Sequence, residues 1–126
     1  MVETRLLKSI AQQFLTLTAT GAVDEAFNNF VAEGFIHHNQ YFKGDRESLR
    51  LAMKESAASG APKIIEVHSM LQEGDRISAY SHVHTADFSL NLAVLHIFRF
   101  NYGKIVELWD LAQHIARDCP NENGLF

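Results

Sequence analysis

The sequence predicts an α+β fold, with three amino-terminal helices laid over one face of a strongly curved, mainly antiparallel sheet. Three observations predict it. Apolar residues recur at the helical period of 3.6 before Pro62 and at the strand period of 2 after it. Turn chemistry at Glu73-Gly74-Asp75, around Ser89 and at Asn101-Tyr102-Gly103 cuts the second half into consecutive strands. The chain has 126 residues, 47% of them hydrophobic, enough for one core and one domain over 1–126.

Leu6, Leu7, Ile10, Phe14 and Leu17 share a helical face, which predicts a helix from about Glu3 to Thr18, stopping before Gly21. A shorter helix follows from about Ala22 to Val31, burying Val23, Phe27 and Phe30. Asp45, after Gly44, is a suitable N-cap for a third helix with Leu49, Ala52 and Met53 inward. Gly60-Ala61-Pro62 ends that helix. Four strands are then expected at Lys63–Gln72, Arg76–Asp87, Leu90–Asn101 and Lys104–His114. Their short connections make an antiparallel meander. Helices crossing a strongly curved sheet leave a conical cavity open at one end, a place for a small-molecule ligand.

Composition narrows the partners. Net charge is −4 and no Lys/Arg run occurs, which argues against nucleic acid or an anionic membrane surface. The single cysteine, Cys119, cannot form an internal disulfide. Glu3, Arg5, Lys8, Gln12 and Gln13 interrupt the first apolar residues, so no signal peptide is expected. No stretch reaches the ~18 apolar residues of a membrane span. The expected location is the cytoplasm.

Strand alternation sorts the polar residues by face. Tyr80, His82 and His84 fall together, opposite Ile77, Ala79, Ser81 and Val83. Val94, His96, Phe98 and Phe100 form a second set. Leu108, Asp110, Ala112 and His114 oppose Ile105, Glu107, Trp109 and Leu111, unless a bulge exchanges them. Asp110 stands in an apolar run, Val106 to Ala112, where a carboxylate is either a general acid/base or a structural acceptor at the strand rim. His82 and His84, with His96 or His38, fit a metal site, or satisfied core or dimer-interface histidines. His37-His38-Asn39 is a polar cluster entering from a loop, or a cap on the preceding element. The phenylalanines at 14, 27, 30, 98 and 100 read as core, with Phe14 and Phe98 as candidate pocket walls; Trp109 reads as wall or interface. There is no phosphate loop, nucleophile elbow or paired-cysteine metal motif.

Four segments, FIHHNQYFKGD (Phe35 to Asp45), HVHTADF (His82 to Phe88), AVLHIFRFNYGKIVELWDLAQ (Ala93 to Gln113) and NENGLF (Asn121 to Phe126), resemble the SnoaL-like proteins. These belong to the nuclear-transport-factor-two-like superfamily, and the likeness is greatest to its predicted SnoaL-like aldol-condensation enzymes. The resemblance implies a cystatin-like α+β barrel, usually a homodimer through the sheet. It also implies the chemistry of polyketide cyclases: intramolecular aldol condensation with no metal or cofactor, an aspartate serving as general acid/base. Asp110 takes the aspartate's position, His38 and Asn39 that of the polar pair, and His82 and His84 that of an HxH strand. Leu108 stands where the family often has histidine, His96 where it often has an acid, and Gln40 where it often has proline.

The expected catalytic set is therefore Asp110, His38, His84 and His96, with Asn39, His82, Tyr80, Phe98, Trp109 and Phe14 contacting the ligand. The rival readings are a non-catalytic ligand-binding or dimerisation module, and a histidine metal site.

Overall fold

The computed structural model describes residues 2–126, with side chains from Leu6 onward. Its elements are α1 (Val2–Ala19), α2 (Val23–Phe30), β1 (Val31–His37), α3 (Arg46–Ser59), β2 (Lys63–Glu73), β3 (Arg76–Thr85), β4 (Asn91–Asn101) and β5 (Lys104–His114). They form one curved five-stranded sheet in the order β1-β5-β4-β3-β2 with three helices, an α+β fold as expected. β2 to β5 are the antiparallel meander. β1 was not expected; it pairs in parallel with β5 at the edge, so the sheet is mixed. No helix among the described residues is long and apolar enough to cross a membrane.

Local chemistry accounts for the boundaries. Asp45 caps α3: its Oδ2 accepts from the Ser48 amide at 3.0 Å and its Oδ1 from the Ser48 hydroxyl at 2.6 Å. The β4–β5 connection is a two-residue turn in which Tyr102 (φ 50°) and Gly103 (φ 75°) both lie in the left-handed region, the type I′ geometry that matches sheet twist. Between β3 and β4 the chain turns around Asp87, whose Oδ1 accepts from the Ser89 amide and from the Thr85 and Ser89 hydroxyls. The Ser89 amide, helped by the two hydroxyls, holds this carboxyl down to about 2. β3 therefore ends at Thr85, two residues short of the expected Asp87.

The core lies between the helices and the concave face of the sheet. Leu7, Ile10, Ala11, Phe14 and Leu15 of α1 meet Val23, Ala26 and Phe27 of α2. Both groups pack on Ile77, Ala79, Phe98, Phe100, Ile105 and Leu108 of the sheet. Leu6, expected inward, is exposed because the buried stripe runs through Leu7, Ile10, Ala11 and Phe14. Ile105 and Leu108 are three residues apart yet both buried. A bulge explains this: Phe100 pairs with Ile105 and Arg99 with Glu107, leaving Val106 as an extra residue in β5. Ile105 thus belongs with Leu108, not with Glu107 and Trp109 as strict alternation would have it.

Candidate functional site

The inner surface of the sheet changes character along the strands. Toward one end it is sealed by the phenylalanine core. Toward the other, Val83, Leu92, Val94 and Ala112 face a cavity of about 400 Å³, within the range of small-molecule sites. Leu49, Ala52 and Met53 of α3 and Leu15 and Thr18 of α1 form the opposite wall. Where core gives way to cavity stand the two functional groups of the floor, His96 and Asp110. They are direct cross-strand partners on β4 and β5.

Asn39 completes the group from the loop after β1. Its Nδ2 donates to Asp110 Oδ2 at 3.1 Å, and its Oδ1 accepts from the Tyr41 amide at 3.0 Å. Asp110 Oδ1 has no hydrogen-bond partner among the described residues. His37 positions this loop from beneath. Buried in β1, it donates from Nε2 to the Lys43 carbonyl at 2.5 Å and accepts at Nδ1 from the Asn39 amide at 3.1 Å. The sequence reading passed over His37 in favour of its neighbour. Phe42, another wall residue, was missed as well.

His96 is half-buried as a residue, but its Nδ1 is sealed from solvent with no partner. Burial pushes its pKa down from 6.5 to about 4, against a smaller opposite pull from Asp110. The ring is therefore neutral at pH 7. An orphaned N–H is rarer inside proteins than an orphaned lone pair, so the proton belongs on Nε2, the nitrogen the cavity can reach. A stability consequence follows. The unfolded chain takes up this proton below pH 6.5, the folded chain only near pH 4. Stability is thus fully present above pH 6.5 and falls as the pH drops toward 4, by about 3 kcal/mol from this group. Urea unfolding at pH 7 and 4.5 should show the wild type losing stability that His96→Leu does not lose.

The other expected site residues lie elsewhere. His38 points to the convex face, where its ring stacks on Trp109 (centroids 4.9 Å apart, planes 6° apart) and its Nε2 meets Glu107 Oε2 at 2.6 Å. That contact, with Arg99 also bonded to Glu107, holds the Glu107 carboxyl below its usual range. Trp109 itself lies under the Arg76 guanidinium, away from the cavity. Tyr80, His82 and His84 also occupy the convex face, because Ala79, not Tyr80, pairs with His96. Tyr80 donates to the Leu125 carbonyl at 2.7 Å, and His84 bonds Glu66 at 2.9 Å. Phe14 and Phe98 are core, meeting edge to face at 5.8 Å below the cavity floor. Of the expected set, then, the cavity gathers Asp110, His96 and Asn39.

No family model matches the sequence, and no curated protein does. Solved structures do match. A protein of unknown function from Burkholderia xenovorans, described as nuclear-transport-factor-two-like, superposes with a TM-score of 0.75 at 15% identity, covering 95% of this chain and 92% of that one. A candidate polyketide cyclase from Bacillus cereus superposes at 0.74 with 22% identity, covering 86% and 74%. An epoxide hydrolase of the LEH-like type from M. tuberculosis gives 0.68 with 13% identity, covering 86% and 84%. Likeness at these identities is likeness of fold. The chain has the nuclear-transport-factor-two-like fold, which the resemblance of its sequence implied.

Proposed function

We propose that the cavity binds a small, mostly apolar carbonyl compound, and that Asp110 catalyses an aldol-type condensation, cyclisation or isomerisation of it by cofactor-free acid/base chemistry. One observation carries the reading: a carboxylate fixed at one oxygen by Asn39, with its other oxygen unpaired, on the floor of an apolar cavity. In the step proposed, Asp110 takes the proton from the carbon next to the carbonyl, and the C–H electron pair becomes an enolate. The enolate carbon then attacks a second carbonyl, and the resulting alkoxide recovers the proton from Asp110. Protons and electrons balance within substrate and carboxyl, so no further reactant enters. His96, neutral and bearing its hydrogen on Nε2, donates to the oxygen on which charge develops. His38 and His84 have no part in this step, since both face the other side of the sheet.

The simplest test needs no natural substrate. In D2O, NMR should show the protein speeding deuterium exchange at the α-carbon of a small aryl ketone. The absence of exchange across a panel of ketones, together with thermal shifts by the same compounds, would leave a binding module in its place. The convex face, where Leu95, Ile97, Trp109 and Leu111 are not covered by helices, supports a homodimer through the sheet. Light scattering should return the mass of two chains.

A further inference from the structure

The geometry points to a second site, on the convex face: a binding site for a divalent transition cation of the zinc class, formed by Glu66, His82 and His84. It is independent of the reaction proposed above, and the sheet separates it from the cavity.

Two paired strands build it. His82 and His84 alternate onto one face of β3, and Glu66 of β2 stands directly opposite His82 in the ladder. One ligand-capable atom from each lies within 4.8 Å of the other two. His84 Nε2 and Glu66 Oε1 are 2.9 Å apart, close to the edge of about 3.3 Å that a tetrahedral site with bonds of about 2 Å requires. His82 reaches that edge with an inward shift of at most about 1.5 Å. Two imidazoles and a carboxylate are a donor set zinc takes readily, leaving a fourth position for water or a ligand.

The surroundings of the two histidines hold them in place for this. A backbone carbonyl only accepts, so the 2.8 Å contact between His84 Nδ1 and the Thr85 carbonyl places the hydrogen on Nδ1. Glu66 also only accepts, so without metal Nε2 donates to its carboxylate, and that is the hydrogen a cation bound between the two would displace. His82 is held the same way at its other end, with Nε2 2.5 Å from Asn91 Oδ1, which leaves Nδ1 as the donor. Each ring thus has one nitrogen tied to an oxygen acceptor outside the three ligands, the outer support that metal-binding histidines ordinarily have. Aromatic packing fixes both planes: His84 stacks on Phe88 at 4.4 Å and 7°, and His82 lies 5.1 Å from the Phe126 ring.

The test is a titration of tag-free, chelator-stripped protein with zinc alone, followed by calorimetry, and with cobalt, followed by its visible spectrum. One equivalent of zinc should bind, and cobalt should give the strong visible bands of a four-coordinate ion. Glu66 is exposed, so Glu66→Gln should fold normally, yet lose the cobalt bands and bind zinc at least about tenfold more weakly. Asn91→Ala, which only frees the His82 ring, should weaken zinc binding by about 10–100-fold. His84 is buried and its variant is the one most exposed to misfolding; the other two do not depend on it. Glu25→Gln, on α2, should change nothing. Zinc binding far below one equivalent, or binding that survives both Glu66→Gln and Asn91→Ala, would overturn the site.

Discussion

Asp110→Asn should lower the rate of α-carbon exchange by about 10²–10⁴-fold while leaving the fold in place. The amide is the same size as the carboxylate and keeps an oxygen to accept from Asn39 Nδ2, so the 3.1 Å contact and the cavity wall survive. What is lost is the basic oxygen. Exchanging a charge-assisted hydrogen bond for a neutral one costs about 1 kcal/mol, a change in thermal midpoint of less than about 5 °C at this chain length. Asn39→Ala should have a smaller effect on rate, because it removes the partner that orients Asp110 and not the base. If Asp110→Asn instead unfolded the protein, the carboxylate would be a structural acceptor; if exchange persisted, the base would be another group.

Phe14→Ala should be the most destabilising of the substitutions considered, at about 3–5 kcal/mol, a fall in thermal midpoint of more than about 10 °C. Phe14 is 1% exposed and meets Phe27 at 5.6 Å and Phe98 at 5.8 Å, both edge to face, so one ring ties α1 to α2 and to the sheet. Its removal leaves a void between elements that cannot close without separating one of these contacts. The ring does not border the cavity. Exchange activity per folded molecule should therefore be unchanged in Phe14→Ala below its unfolding temperature, whereas a wall residue would alter it. Urea unfolding and the exchange assay on the same sample separate the two.

These residues also mark how far the sequence could be read. Helix positions and the meander were legible because capping and turn residues are local signals: Asp45 sits beside the amide it caps, and Tyr102-Gly103 makes its turn alone. Asp110 and His96 were legible as residues out of place in apolar runs. β1 was not. It follows α2 without a break, contains Glu33 and Gly34, and gains its strand partner from β5, about seventy positions away. Without that strand, His37-His38-Asn39 read as a loop cluster. With it, alternation turns His37 inward and His38 outward, and the choice between the two histidines becomes plain.

The histidines of β3 failed for a different reason. Alternation gives each strand two faces but not which face of one lies beside which face of the next. That depends on whether the connection holds an odd or an even number of residues. Here the turn set by Asp87 pairs Ala79 with His96, and one residue more or fewer would have turned Tyr80, His82 and His84 onto the face of His96. Turn length at that point is decided by three hydrogen bonds to one carboxylate, which no periodicity reports.

Val106 has a bearing on how relatives of this chain should be compared. Because the bulge absorbs it, the hairpin could lose that single position and still present aspartate to the interior and tryptophan to the outside, whereas a deletion at Leu108 or Trp109 would turn the sheet's two sides inside out. Hairpins differing by one residue in length can thus share the same polarity, and a gap opened at position 106 keeps aspartates in step where a gap elsewhere would set a base against a surface residue.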